Sequence, residues 1–142
     1  MSAKMTPEEI HAFLTAGTRT AKLATTGPTG RPHIAPVWFV LDGETIVFTT
    51  GETTVKGKHL RRDPRVALCV DDERPPFAFV TVTGTAAIEA EAPDLREWAT
   101  RIAARYMGAD QAEAYGRRNG VPGELLVRVT PAHFVAERNI SD

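Results

Sequence analysis

The chain has 142 residues, enough for one domain with a sizeable core, and its 42% hydrophobic and 25% charged content is globular rather than disordered. A formal net charge of −1 gives no global field towards nucleic acid or a membrane surface, so any anion site must come from local clustering. Cys69 is the only cysteine, which excludes an intrachain disulfide, and its Val-Ala-Leu-Cys-Val setting reads as a buried strand.

Thr6-Pro7-Glu8-Glu9 opens the first expected helix. The Thr6 hydroxyl can cap the Glu9 N–H while the Glu9 carboxylate reaches back, and proline in the first turn gives up no bond the helix needs. Ile10, Phe13 and Leu14 form its apolar stripe, and Gly17 is a left-handed stop. Strands are then expected over Thr18–Thr25, Pro32–Leu41 and Thr45–Thr50. Gly27-Pro28-Thr29-Gly30 separates the first two, and Asp42-Gly43 is a hairpin signal before the third.

The polar, basic segment Thr53–Asp63 interrupts the sheet and predicts a short helix ending before Pro64. Further strands follow at Arg65–Asp71 and Phe77–Ile88, the second with Gly84 at a bend or bulge. Asp71-Asp72-Glu73, ahead of Pro75-Pro76, reads as a solvated turn. Pro93–Tyr106 is a helix with Leu95, Trp98, Ala99, Ile102 and Tyr106 on one apolar face, and Asp110–Arg118 is a second helical piece. Two short strands, Glu124–Val129 and His133–Glu137, close the chain. Consecutive strands with peripheral helices predict an α+β antiparallel barrel, and no Gly-x-Gly-x-x-Gly supports a Rossmann fold. With no repeat or linker, residues 1–142 read as a single domain. No run approaches the roughly 20 apolar residues of a membrane span and there is no leader-like apolar stretch, so the expected location is cytoplasmic.

Two stretches carry chemistry. Between Lys56 and Arg65 stand five Lys or Arg residues in ten, preceded by Thr49, Thr50, Gly51, Thr53 and Thr54. Hydroxyls, exposed backbone N–H groups and a helix N-terminus beside lysines suit a phosphate. A solvated basic helix is the competing reading, and the lack of interleaved aromatics argues against nucleic acid. The second stretch is Ala35-Pro36-Val37-Trp38. Pro36 cannot donate to a ladder, so its strand is an edge, bulged or facing a ligand, with the large apolar surface of Trp38 alongside. An edge-strand proline beside a core tryptophan is the plain alternative. His11, His33, His59 and His133 are scattered without metal-site spacing, and no nucleophile motif occurs, so no catalytic or metal-binding side chain is assigned. An enzyme built this way draws its reactive atoms from a bound cofactor.

Ala24-Thr25 through Gly30-Arg31-Pro32, Pro36-Val37-Trp38-Phe39, Lys56 and Leu60-Arg61-Arg62-Asp63-Pro64-Arg65 together resemble the pyridoxamine 5′-phosphate oxidase-like split-barrel superfamily. The chain is most similar to its deazaflavin (coenzyme F420)-dependent oxidoreductase branch, from about Thr6 to Glu137. The resemblance implies a homodimeric split β-barrel, the FMN-binding type, with cofactor at the subunit interface. It implies a ring lying along Ala35, Pro36, Val37 and Trp38, and Thr49 and Thr50 facing the ring or its ribityl chain. Thr54, Lys56 and Lys58 would hold phosphate, and Pro76 and Phe77 of the other subunit would close the site. Relatives often carry arginine where Thr54 or Lys58 stands, and lysine lacks arginine's bidentate fork. The implied activity is hydride transfer from reduced F420 to an unsaturated small organic substrate. The alternatives are an FMN enzyme of the same fold, such as a pyridoxamine phosphate oxidase, and a non-catalytic flavin- or deazaflavin-binding protein.

Overall fold

The computed structural model describes residues Met1–Asp142. In chain order the elements are β1 (Ala3–Lys4), α1 (Pro7–Thr15), β2 (Ala21–Thr26), β3 (Pro32–Val37), β4 (Val40–Asp42) and β5 (Thr45–Gly51). They continue with α2 (Val55–Arg62), β6 (Arg65–Asp72), β7 (Ala78–Glu89), α3 (Leu95–Met107), α4 (Ala112–Asn119) and β8 (Glu124–Arg138). All eight strands join one antiparallel sheet in the order β3-β2-β6-β7-β8-β5-β4, with β1 added to the far end of β8.

That sheet wraps around one core. Laid flat, seven strands at about 4.8 Å spacing would hold β3 and β4 roughly 29 Å apart. Yet Val37 of β3 and Leu41 of β4 pack into the same cluster, with Leu23, Phe48, Leu68, Val82 and Val127 from the strands between. The protein is an α+β antiparallel split barrel. Alternate residues of β5 and β8 serve a second layer: Val47 and Leu126 point outwards and pack with Leu95 and Trp98 of α3. Two-sided burial explains why Ile46-Val47-Phe48 reads as a continuous apolar run instead of alternating.

Local chemistry anticipated several boundaries. The Thr6 Oγ1 accepts from Glu9 N at 3.2 Å and Thr6 N donates to the Glu9 carboxylate at 3.1 Å, completing the capping box. Asp42-Gly43 turns the β4–β5 hairpin, with Gly43 at φ +60° and Asp42 opposite Thr45. Pro36 lies in an edge strand, paired through Lys22 of β2 on one side only.

Other expectations are corrected. The strand expected over Pro32–Leu41 is two, because α3 captures the backbone between them. Arg105 Nη1 donates to Phe39 O at 2.8 Å, and Phe39 N donates to the Tyr106 hydroxyl at 3.3 Å. That hydroxyl in turn donates to Arg19 O at 2.8 Å, so the chain before Ala21 is tied to α3 and the strand begins later than Thr18. Tyr106 is thus a polar tether more than an apolar core residue, and burial pushes its phenol pKa up. Its ring stacks on Trp38 at 5.0 Å with 2° between planes.

The two expected C-terminal strands are one continuous strand, β8, bent where its register with β7 slips at Thr83/Gly84. Pro131 is tolerated there, beyond the last β5 partner at Val129. A Cβ on Gly84 would lie 2.4 Å from Thr130 O, so only glycine permits this approach. Cys69 is half-buried instead of fully packed. Asp71 and Asp72 end β6 and are ion-paired, with Lys22 at 3.2 Å and Arg19 at 3.1 Å, so they are not a free solvated turn. The strand β1 had no sequence signal.

Tyr106→Phe should lower unfolding stability by about 1–3 kcal/mol, because it leaves the Phe39 N–H without its acceptor. Urea denaturation compared with wild type measures this.

Candidate functional site

The turn from β5 into α2 is a tight knot. Thr54 caps α2: its hydroxyl accepts from Gly57 N at 3.1 Å, donates to Gly51 O at 2.7 Å and lies 3.2 Å from the Thr50 hydroxyl. A Cβ on Gly57 would sit 2.2 Å from Gly51 O, so glycine lets the first turn of α2 rest directly on the end of β5. Lys56 sits in this turn.

Beside the knot is a cleft of about 380 Å³ lined by Pro36, Val37, Trp38, Thr49, Thr50, Gly51, Thr54 and Lys56. Ala99 and Ile102 of α3, Asn119 of α4 and Glu124 of β8 complete it. This volume lies at the low end of small-molecule sites. Seven of the eleven residues singled out from the sequence therefore share one cleft: Pro36, Val37, Trp38, Thr49, Thr50, Thr54 and Lys56.

Four do not. Ala35 is half-buried in β3 outside the lining, and Lys58 is exposed on α2. Pro76 and Phe77 are exposed in a turn that lines a different, larger groove of about 600 Å³ with Met5, Phe13, Arg19, Asp72, Arg74 and Arg138. The charges of that groove are internally paired, Arg19 and Arg74 with Asp72, and Arg138 with Glu9. Its turn is pinned to the C-terminus, where Ile140 N and Ser141 N donate to the carbonyls of Phe77 and Pro76.

The basic run dissolves on inspection of its partners. Arg61 pairs with Glu52 at 3.5 Å, and Arg62 donates to the Thr26 and Gly27 carbonyls, holding the β2–β3 turn. Arg65 makes a two-point contact with Asp63, through Nε at 3.0 Å and Nη2 at 2.8 Å. Lys56 alone of the five reaches the cleft. Thr54 spends its hydroxyl on the cap, so Lys56 is the only cleft cation for an anion.

Glu124 was missed, having no signal as the first residue of the last strand. Its Oε2 is shielded from solvent and accepts no hydrogen bond. Burial raises its pKa, and the nearby Lys56 charge pulls the other way more weakly. Ala99 and Ile102 belong to the apolar face expected of the α3 helix, and nothing in the sequence marks Asn119 as a site residue. No residue lining the cleft is a His, Cys, Met or Tyr, the usual axial haem ligands. A flavin-type group fits this donor set: Lys56 for a phosphate, threonine hydroxyls for a polyol, an apolar strand and Trp38 for a ring, and an unpartnered carboxyl oxygen for a hydroxyl or N–H.

The family model for pyridoxamine 5′-phosphate oxidase matches residues 6–136. The chain belongs to this family. Among solved structures, a conserved hypothetical protein, Rv2991, of Mycobacterium tuberculosis is 27% identical, with a TM-score of 0.84 over 97% of this chain and 89% of that one. An F420 reductase is also 27% identical, with a TM-score of 0.68 over 87% of this chain and 94% of that one. The haem storage protein HutZ of Vibrio cholerae shares the fold at 17% identity and a TM-score of 0.71, over 92% and 94% of the two chains. No protein of curated function matches the chain. The family thus includes oxidoreductases and flavin-type cofactor users, on a fold that also serves haem storage. No helix is long and apolar enough to cross a membrane.

Asp63 caps the C-terminal end of α2, and hydrogen bonds from the Arg65 side chain and backbone hold its carboxyl down to about 2. A depressed carboxyl stabilises the fold above its unfolded pKa of about 3.9 and loses that contribution as pH falls through its folded value. The stability advantage of wild type over Asp63→Asn should therefore be full above about pH 4 and shrink as the pH falls towards 2. Urea melts across that range measure the difference.

Proposed function

We propose that the cleft binds a flavin-type cofactor through its phosphate, and that this cofactor is coenzyme F420 ahead of FMN. The observation that carries the reading is one of position. Lys56, the only cationic side chain in the lining, shares one cleft with Pro36, Val37 and Trp38 and with the hydroxyl-bearing Thr49, Thr50 and Thr54. A ligand with a charged end and a planar end needs that combination of groups.

Lys56 attracts and holds the phosphate, assisted by the N-terminus of α2, and the Thr54 cap keeps that turn rigid. Thr49 and Thr50 serve the polyol or the ring. Pro36, Val37 and Trp38, fixed from behind by the Tyr106 stack, orient the ring and keep water from one face. Ala35 contributes backbone in the same strand, and Lys58 adds a more distant charge. Bound in reduced form, the deazaflavin supplies a hydride for an unsaturated or conjugated small organic substrate. The chain would do this as a single-domain subunit, residues 1–142, of a cytoplasmic homodimer, with Pro76 and Phe77 of a second copy closing the cleft. The preference for F420 rests on similarity to the F420 reductase over 87% of the chain. FMN, with the same ring-and-phosphate layout, is the alternative; a binding protein without turnover is the other. Haem is disfavoured by the absence of an axial ligand in the cleft.

Deazaflavin should bind with a Kd below about 100 μM, read by quenching of its fluorescence. Lys56→Ala should weaken that binding about 10- to 100-fold, the effect of a charged hydrogen bond, with little change in melting temperature. Unchanged affinity removes the phosphate assignment. A yellow protein as purified, with bound FMN, reverses the choice of cofactor.

A further inference from the structure

Glu124 is the one charged group in the cleft that a phosphate-bearing ligand should repel. It begins β8 and lies directly across from Gly51, the residue whose carbonyl the Thr54 cap holds. Its side chain is therefore set against the same turn that carries Lys56. Among the lining residues these two are the only ionisable ones. The groups from the other packed elements are neutral: Pro36 and Val37 from β3, Trp38 just after it, Thr49 and Thr50 from β5, Ala99 and Ile102 from α3, Asn119 from α4. Glu52, next in sequence to Gly51, is paired with Arg61.

We propose that Glu124 takes up a proton when a phosphate-bearing cofactor enters the cleft, so that cofactor binding is linked to pH. The inference rests on the phosphate reading above and deepens it. With Glu124 ionised, the cleft lining holds one positive and one negative charge, and any phosphate adds negative charge, about −1.5 to −2 for a monoester such as that of FMN, with no second cation in the lining to offset it. Protonation removes one negative charge and turns an acceptor-only group into a donor. The buried Oε2, which now has no partner, then has a hydrogen to give to a phosphate or ligand oxygen. Burial already favours the neutral form, and an arriving anion favours it further. The sign follows: affinity rises as pH falls through the interval between the carboxyl's free and bound pKa values. The slope is at most about tenfold per pH unit for one proton.

Calorimetric titration of FMN and of deazaflavin coenzyme into wild type and Glu124→Gln, from pH 5.5 to 8 in two buffers of contrasting ionisation enthalpy, counts the protons. Titration of the phosphate itself is common to both proteins and cancels in the comparison. Wild type should take up a larger proton fraction than Glu124→Gln. The variant, neutral at every pH, should bind more tightly than wild type at pH 8, and the two should converge at low pH. Riboflavin, which lacks the phosphate, should show a smaller difference in proton uptake between wild type and Glu124→Gln than FMN does. Equal proton uptake in both proteins overturns the proposal, as does weaker binding by Glu124→Gln throughout the range, which would make the ionised carboxylate a ligand. Either result leaves the phosphate reading standing; failure of both cofactors to bind wild type overturns both.

Discussion

Arg105 ties together three segments that sequence separates widely. Its guanidinium donates to Phe39 O and Leu14 O at 2.8 Å and to Gly17 O at 2.9 Å, and lies 4.6 Å from the centre of the Phe39 ring. The end of α1, the β3–β4 junction and α3 are thereby fixed to one another. The Tyr106 hydroxyl adds Arg19 to the same assembly. The Pro36–Trp38 side of the cleft depends on this anchor, because it sets where β3 ends and where Trp38 stacks. Arginine suits the task because one planar group can serve several carbonyls at once.

The opposite side of the cleft has its own small anchor in the Thr54 cap and the glycine contact between α2 and β5. It is built from short side chains and backbone, so it leaves Lys56 as the longest group in that turn facing the cleft. The remaining arginines of the basic run are occupied in holding α2 to its surroundings. A segment that looks like an electrostatic patch is therefore mostly scaffold, with Lys56 its one charge in the cleft lining.

How much was legible followed from the range of each interaction. The capping box of α1, the Asp42-Gly43 hairpin and the edge position of Pro36 are local, and residue chemistry within a few positions decides them. The barrel class was legible from the run of strands. The break after Val37 was not, because its cause lies in Arg105 and Tyr106, far along the chain. Pro131 looked like the end of a strand because the compensating bulge belongs to Gly84 on another one. In the site, Pro36, Trp38 and Lys56 announced themselves by residue type and order. Glu124 did not, since a glutamate opening a strand is ordinary until Gly51 and Lys56 are found opposite it. The partners of Arg61, Arg62 and Arg65 were equally invisible, which is why the run promised more free charge than it has.

The strand β3, whose end lines the cleft, is also an open edge of the barrel sheet. Unpaired edges are templates for strands of other chains, and Ile34 on β3 is 67% exposed. Pro36 breaks that template, since an incoming strand finds no N–H there and cannot extend a regular ladder past it. The opposite edge, β4, is only three residues long and offers little to pair with. The proline that lines the cleft thus also makes its strand a poor seed for aggregation.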